Sequence, residues 1–220
     1  MPPPSANPFA SASPYPSLLA PLTLAGRRLR NRLVHPSIST FMPAQGRVTP
    51  RMIQYFANRA RGGAALIVCE PFSLARHQDV PNRVVAWNDS DLDGLKRLAD
   101  AVESEDCRLV AQLLERGRGR NLPGRTPDAI GASALPDDLS WTMPRELATG
   151  EIDGLIEAFV SGIARLQRCG FSGVEVSAAH GHFFHQFLSP WSNRRSDAFG
   201  GDLPGRTRLI ERIVVGVRQV

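Results

Sequence analysis

From residue 22 onward, short continuous apolar runs alternate along the chain with segments in which apolar residues recur at helical spacing. Runs of strand length, rich in β-branched or aliphatic residues, fall at 32–39, 64–69, 109–114 and 171–176. Apolar residues recur every three or four positions at 49–61, 90–105, 151–167 and 209–217, which predicts four helices with one buried face each. Two short runs around Ala25-Gly26 predict a β-hairpin over 22–29. Ser90 is the expected N-cap of the second helix, and Gly62-Gly63 is expected to end the first.

Buried strands that alternate with amphipathic helices predict an α/β fold with a parallel sheet. We predict a TIM (β/α)8-barrel type, truncated to about four βα units with an N-terminal β-hairpin, since a full barrel has eight units. Seven prolines fall within residues 1–21, which predicts a disordered leader followed by a barrel domain over 22–220. The loop from 115 to 148 is long enough to be functional.

Composition narrows the function classes. The net charge is +5, but the arginines are scattered without interleaved aromatic residues, so we expect no nucleic-acid partner. No apolar run could cross a bilayer and no secretory signal is visible, so we expect no membrane association. The three cysteines, Cys69, Cys107 and Cys169, are widely spaced and odd in number, which indicates a reducing cytoplasm and buried thiols.

The densest chemistry lies in residues 171–201, FSGVEVSAAHGHFFHQFLSPWSNRRSDAFGG. An apolar run of strand length ends here in Ser177, His180, His182 and His185. Barrel enzymes build their active sites from side chains at the carboxyl ends of such strands. The segment therefore predicts an active site, with His185 expected to face the turn that follows rather than the site.

This stretch resembles the Old Yellow Enzyme family of flavin-dependent ene-reductases, whose members share a GVEIH strand, a His/Asn-Gly-Tyr step and a QFLSP…SNRR-x-D-x-YGG loop. The matching residues are Gly173, Val174, Glu175, His180, Gly181, Gln186, Phe187, Leu188, Ser189, Pro190, Ser192, Asn193, Arg194, Arg195, Asp197, Gly200 and Gly201. The resemblance covers residues from about 17 to the end and only the N-terminal half of the family's barrel.

The resemblance implies an oxidoreductase that passes a hydride from NAD(P)H through FMN to an activated C=C bond of a small molecule. Ser177 and His180 would donate hydrogen bonds to the substrate's carbonyl or nitro oxygen. His182, which stands where the family usually has tyrosine, would be the general acid. Ser177 departs from the family as well, because many members have histidine there.

The resemblance also implies a set of flavin-binding residues at the ends of the first three strands: Ser37, Ile38, Ser39, Pro71 and Gln112. A glutamine inside an apolar strand needs a polar partner, which a flavin amide edge would supply. Glu115 stands where the family has histidine, so the substrate-side chemistry is expected to differ there. Asn193, Arg195 and Asp197 are expected to hold a structural loop that orients the site.

Two alternatives remain open on the sequence. His180-Gly181-His182 at a strand end resembles the HxH metal site of a barrel hydrolase, with His185 or Glu175 as a further ligand. Alternatively, the chain is a truncated, inactive half-barrel that binds no flavin. Four strands leave two unpaired edges, so a homo-oligomer or completion by a C-terminal half is also expected.

Overall fold

A computed structural model describes residues 14–78, 80–118, 129–136 and 143–220. Most of the predicted disordered leader lies outside these ranges. Within it, Pro16–Leu19 form a short helix, α1, with proline at the helix start. The chain is therefore helical at residues where the proline content predicted disorder.

The central feature is a four-stranded parallel sheet, as the strand and helix alternation predicted. Its strands, in the spatial order β3-β4-β5-β8, are Val34–His35 (β3), Leu66–Pro71 (β4), Arg108–Leu113 (β5) and Gly173–Val176 (β8). The predicted hairpin is also confirmed, with Leu22–Leu24 (β1) antiparallel to Arg27–Leu29 (β2). The order fits consecutive βα units of a barrel, whose parallel strands are neighbours in sequence order.

Four long helices follow the sheet strands: α2 (Pro50–Arg61), α3 (Leu92–Glu103), α4 (Thr149–Arg168) and α6 (Leu203–Gln219). Thr49 caps α2, because its hydroxyl accepts a hydrogen bond from the backbone N–H of Met52 at 3.2 Å. The predicted cap of α3 was wrong: Asp91 is the N-cap, and its carboxylate accepts from the Val48 N–H at 2.6 Å. That contact joins segments 43 residues apart, which no local capping pattern reveals.

The edge strands are less buried than the sequence predicted. Val34 is 50% exposed, and the predicted strand over 32–39 contracts to two residues. In β8, Gly173 and Glu175 are exposed. Both strands lie at the edges of the sheet within the described ranges, so each has a neighbour on one side only.

Several elements were missing from the prediction. The stretch after β8 contains a helix, α5 (Phe183–Leu188), which buries Phe183, Phe184 and Phe187. The long loop after β5 contains a short parallel pair, Ile130–Gly131 (β6) with Arg145–Glu146 (β7). α6 begins six residues before the predicted 209, because Asp202 accepts from the Gly205 N–H and caps it there.

The sheet has one covered and one open face. On β5, Leu109, Ala111 and Leu113 are fully buried in the core beneath the helices. The alternating residues Val110 and Gln112 are only partly buried on the opposite face, which would be the barrel interior. The site lies where this open face meets the carboxyl ends of the strands.

Candidate active site

A pair of polar side chains on neighbouring strands lies at the centre of the site. Gln112 of β5 and Glu175 of β8 are register partners, and the amide Nε2 donates to the Glu175 carboxylate at 2.7 Å. The bond directs the amide nitrogen towards Glu175 and leaves the amide oxygen, an acceptor, on the other side of the group. Gln112 thus has the polar partner that its place in an apolar strand requires, and that partner is the Glu175 carboxylate.

The segment after β3 lies beside the end of β4. The Ser37 hydroxyl donates to the Cys69 carbonyl at 2.8 Å, which fixes the segment against the strand. Ile38 is 53% exposed and Ser39 is also exposed. Pro71 is the register partner of Gln112, so the predicted flavin-binding residues lie along three adjacent strand ends.

A buried carboxylate anchors the same segment. Glu70 is 3% exposed, and it accepts hydrogen bonds from the Thr40 hydroxyl at 2.5 Å and from the Thr40 N–H at 3.2 Å. Burial raises the pKa of Glu70, although the Thr40 bonds and the charge of Arg83 oppose the shift. Thr40 was not predicted as a site residue; the only available sequence signal was an acidic residue at the end of an apolar strand.

The segment after β8 carries the predicted catalytic residues. Ser177 is buried, and its N–H donates to the Leu113 carbonyl at 3.0 Å, which extends the β5–β8 pairing by one residue. His180 is exposed and has a left-handed backbone with φ of 61°, followed by Gly181 at 73°. Two successive left-handed residues make a sharp turn. The left-handed conformation is strained at His180, because it is not a glycine.

His182 directly follows this turn and is half-buried. Its ring packs edge-to-face with that of His180 at 6.1 Å between centroids. Burial and the nearby charges of His180 and Arg116 lower the pKa of His182, against smaller opposing effects of the Arg116 carbonyl and Glu115. Nδ1 of His182 is buried and has no hydrogen-bond partner within the described part of the chain. A buried polar atom of this kind fits a bound ligand, because unpaired buried groups are costly.

His185 does not point into the site. Its Nδ1 accepts from the Gly181 N–H at 2.9 Å, so it supports the turn that precedes it, whereas the sequence predicted that it faces the following turn. Across the residues that the structure describes, no group of three His, Cys, Asp or Glu side chains could hold a metal ion. The metal-hydrolase alternative therefore finds no ligand set in those residues.

Glu115 stands where the family that the sequence resembles has a histidine. It is 6% exposed and accepts from Gln78 Nε2 at 2.8 Å and from the Gly117 N–H at 3.0 Å, and it pairs with His77 Nε2 at 2.7 Å. Burial alone would raise the pKa of Glu115, but the bond and charge of His77 and the other donors outweigh it, so the pKa is lowered. Glu115, which stands in place of a family histidine, is thus in contact with a different histidine, His77, from the loop after β4.

The loop 192–201 is structural, in agreement with the sequence prediction. Arg195 is 7% exposed, and its guanidinium forms two bonds to Asp197, at 2.9 and 2.5 Å. It also donates to the carbonyls of Ala132 and Leu147. Asn193 bonds the carbonyls of Phe187 and Phe199 at 2.8 Å each. The loop therefore fixes α5 against the excursion that follows β5.

Comparison with protein families identifies residues 17–220 as a match to the model of the NADH:flavin oxidoreductase / NADH oxidase family. Among curated relatives, a metal reductase of Desulforamulus reducens is 34% identical over 92% of this chain and 30% of that protein. An NADPH dehydrogenase of Geobacillus sp. is 32% identical over 92% of this chain and 60% of that protein. The chain thus spans less than two thirds of these relatives.

Solved structures give the same result at the level of the fold. 2-Naphthoyl-CoA reductase in complex with 2-naphthoyl-CoA matches with a TM-score of 0.84 and 27% identity, over 93% of this chain and 34% of that one. Morphinone reductase in complex with tetrahydroNAD matches with 27% identity, over 93% of this chain and 61% of that one, and with a TM-score of 0.79. The fold is therefore part of a TIM barrel, and the chain belongs to the NADH:flavin oxidoreductase / NADH oxidase family of oxidoreductases, the Old Yellow Enzyme family.

Proposed function

We propose that this chain forms the flavin-facing part of an FMN-dependent oxidoreductase that reduces an activated C=C bond of a small molecule at the expense of NAD(P)H. One observation carries the proposal. Gln112, the segment 37–39 and the turn 177–182 all lie along the same carboxyl edge of the sheet in a chain of this family. Barrel enzymes bind their ligands at that edge.

The donor set fits a flavin. The isoalloxazine ring has a polar pyrimidine edge, and Gln112 presents an amide whose nitrogen is already oriented by Glu175. Ser37, Ile38, Ser39 and Pro71 would contact the ring. The bound FMN would supply the hydride carrier between NAD(P)H and the alkene.

The remaining residues act on the substrate. The hydroxyl of Ser177 and the imidazole of His180 would donate hydrogen bonds to the activating oxygen, where negative charge develops during the reduction. His182 would hold the proton that the substrate's α-carbon receives. Because the pKa of His182 is lowered, mainly by burial, its ring takes up that proton at a lower pH than an ordinary histidine does.

The test is the visible absorption spectrum of the purified chain after incubation with excess FMN and desalting. We expect flavin to remain bound, and the Gln112→Leu variant to retain less than the parent chain. Gln167→Leu, an exposed glutamine near the end of α4, is the matched control and should retain the parental amount. A colourless parent chain would contradict the proposal for this chain on its own.

The sheet's exposed edge favours a second candidate. Ile38 is 53% exposed and Ser39 is also exposed at the place where a flavin would have to be enclosed. A chain that keeps the fold but binds no flavin is consistent with that exposure. The same spectrum separates the two candidates, because the second predicts no retained absorbance.

A further inference from the structure

The buried Glu115 carboxylate joins two loops at the carboxyl edge of the sheet. It follows β5 by two residues, and its Oε2 contacts both His77 and Gln78 of the loop after β4, while its Oε1 accepts from the Gly117 N–H. Gln78 is itself fixed, since its Oε1 accepts from the N–H groups of Leu74 and Ala75. The carboxylate is therefore held in a rigid cradle rather than offered to a substrate.

The backbone of Glu115 also bonds the segment that directly follows the turn 177–182. The Glu115 carbonyl accepts from the Phe183 N–H at 3.0 Å, and Phe183 directly follows His182. Gln186 of α5 reinforces the contact, donating to the Gly181 carbonyl at 2.7 Å and to the Arg116 carbonyl at 3.5 Å. Any movement of Glu115 would thus be transmitted to both ends of the 181–183 segment.

The 115–118 turn has little freedom to rearrange. Gly117 has φ of 61°, and a Cβ there would lie 2.7 Å from Gln186 Oε1. The turn is therefore packed against α5 on one side and bonded through Glu115 to the β4 loop on the other. The 115–118 turn therefore connects α5 to the loop after β4.

We propose that Glu115 and His77 form a positioning pair that sets the location of His182, and through the same turn that of His180. The pair makes no contact with the reacting atoms: Glu115 is buried and bonded on both oxygens. The consequences for catalysis rest on the proposed function, but the geometric link does not.

The test compares histidine side-chain and backbone amide NMR signals of the flavin-free chain with those of two variants. Glu115→Gln keeps the shape and removes the charge. His77→Asn replaces the more exposed partner of the pair. The His77 side chain is 34% exposed, so the fold should tolerate the change. We expect both variants to shift the His182 ring and Phe183 amide signals. The matched control, Glu105→Gln, removes a partly exposed glutamate paired with Arg61 and should leave those signals unchanged.

A swapped variant, His77→Glu with Glu115→His, supplies the rescue. We expect it to bring the His182 and Phe183 signals back towards their parental positions, which a purely packing role would not produce. If His77→Asn and Glu115→Gln shift only residues 75–78 and 115–118, the positioning pair is refuted. If the swap leaves the disturbance of either single variant in place, pairing is not what positions His182.

The flavin-loaded protein gives a separate readout. We expect Glu115→Gln to lower kcat roughly 10- to 100-fold, with the KM for NAD(P)H unchanged, because small misplacements of catalytic groups cost rates of that order. Failure of the parent chain to hold flavin would count against the proposed function alone, since the NMR comparison needs no flavin. An unchanged kcat in a flavin-loaded Glu115→Gln would overturn the catalytic part of the inference.

Discussion

The imidazole of His182 is half-buried beside another histidine, and both surroundings favour its neutral form. Burial is the larger cause of its lowered pKa and the charge of His180 is the next. A histidine whose folded-state pKa is depressed stabilises the fold above its unfolded pKa of about 6.5, and that stability is lost as the pH falls through the folded value. The turn 177–182 should therefore loosen in mild acid.

At this scale, we predict that His180→Gln raises the pKa of His182. The substitution removes the neighbouring positive charge but leaves the burial of the His182 ring. An NMR titration of the His182 ring should show an upward shift towards the usual histidine value. His35→Gln is the control for loss of a histidine whose charge is not among the causes of the shift, and an equal or larger rise there would contradict the assignment.

Gln112 permits a second residue-scale prediction. Glu175→Ala leaves the amide of Gln112 free to rotate, because the 2.7 Å bond that orients it is gone. One such hydrogen bond is worth about 0.5–1.5 kcal/mol, so we expect the Kd for FMN to rise roughly 2- to 12-fold. Fluorescence titration measures it. Glu157→Ala, an exposed glutamate on α4, should leave the Kd unchanged; an equal loss in both variants would argue against orientation of Gln112.

At the scale of elements, the loop 192–201 connects α5 to the excursion after β5 through buried hydrogen bonds of Asn193 and Arg195. Arg195→Ala would remove the donor to the carbonyls of Ala132 and Leu147 and the ion-pair partner of Asp197. We expect a loss of about 2–4 kcal/mol in unfolding free energy, somewhat below the value for a fully buried pair because Asp197 is partly exposed. Urea denaturation gives the value. Arg194→Ala, an exposed neighbour, should change it by less than about 0.5 kcal/mol.

The same loop should be sensitive to acid. The hydrogen bonds from Arg195 lower the pKa of Asp197 well below its ordinary value, with further bonds from Thr149 and the Phe199 N–H. The unfolded pKa of aspartate is about 3.9, so this contribution is complete above that pH and is lost as the pH falls below it. Asp197→Asn should flatten the decline in unfolding free energy between about pH 4 and pH 2. An unaltered acid profile in that variant would show that other carboxylates are responsible.

The whole molecule has an open sheet face and two edge strands within the described ranges. Exposed strand edges pair readily with other chains, so we expect the 220-residue chain to associate when expressed alone. Val34→Lys, at the 50% exposed edge strand, should lower the apparent mass in light scattering. Val215→Lys, on a 55% exposed position of α6, should not. A monomeric parent chain at high concentration would refute the prediction.

Much of the architecture follows from local patterns. The recurrence of Met52, Phe56 and Ala60 specifies α2 and its buried face, and the β-branched run around Val68 specifies β4. Ser177, His180 and Gln112 were identified from a motif, and the structure brings them to one edge of the sheet. Parallel strands place their carboxyl ends together, so the sequence order of the βα units was enough to predict that edge.

The sequence by itself therefore determined the hairpin, the four strands of the parallel sheet, the four long helices and the family, but not the short elements α1, α5, β6 and β7. Only the tertiary structure decided that Gln112 meets Glu175, that Glu115 meets His77 and that the Asp91 carboxylate bonds the Val48 N–H. It also decided how exposed β3 and β8 are. The physical reason is the separation along the chain of the groups that interact. Periodicity and capping act within a few residues, whereas these contacts join groups 38 to 63 residues apart, and their existence depends on strand register and on how the loops close over the sheet.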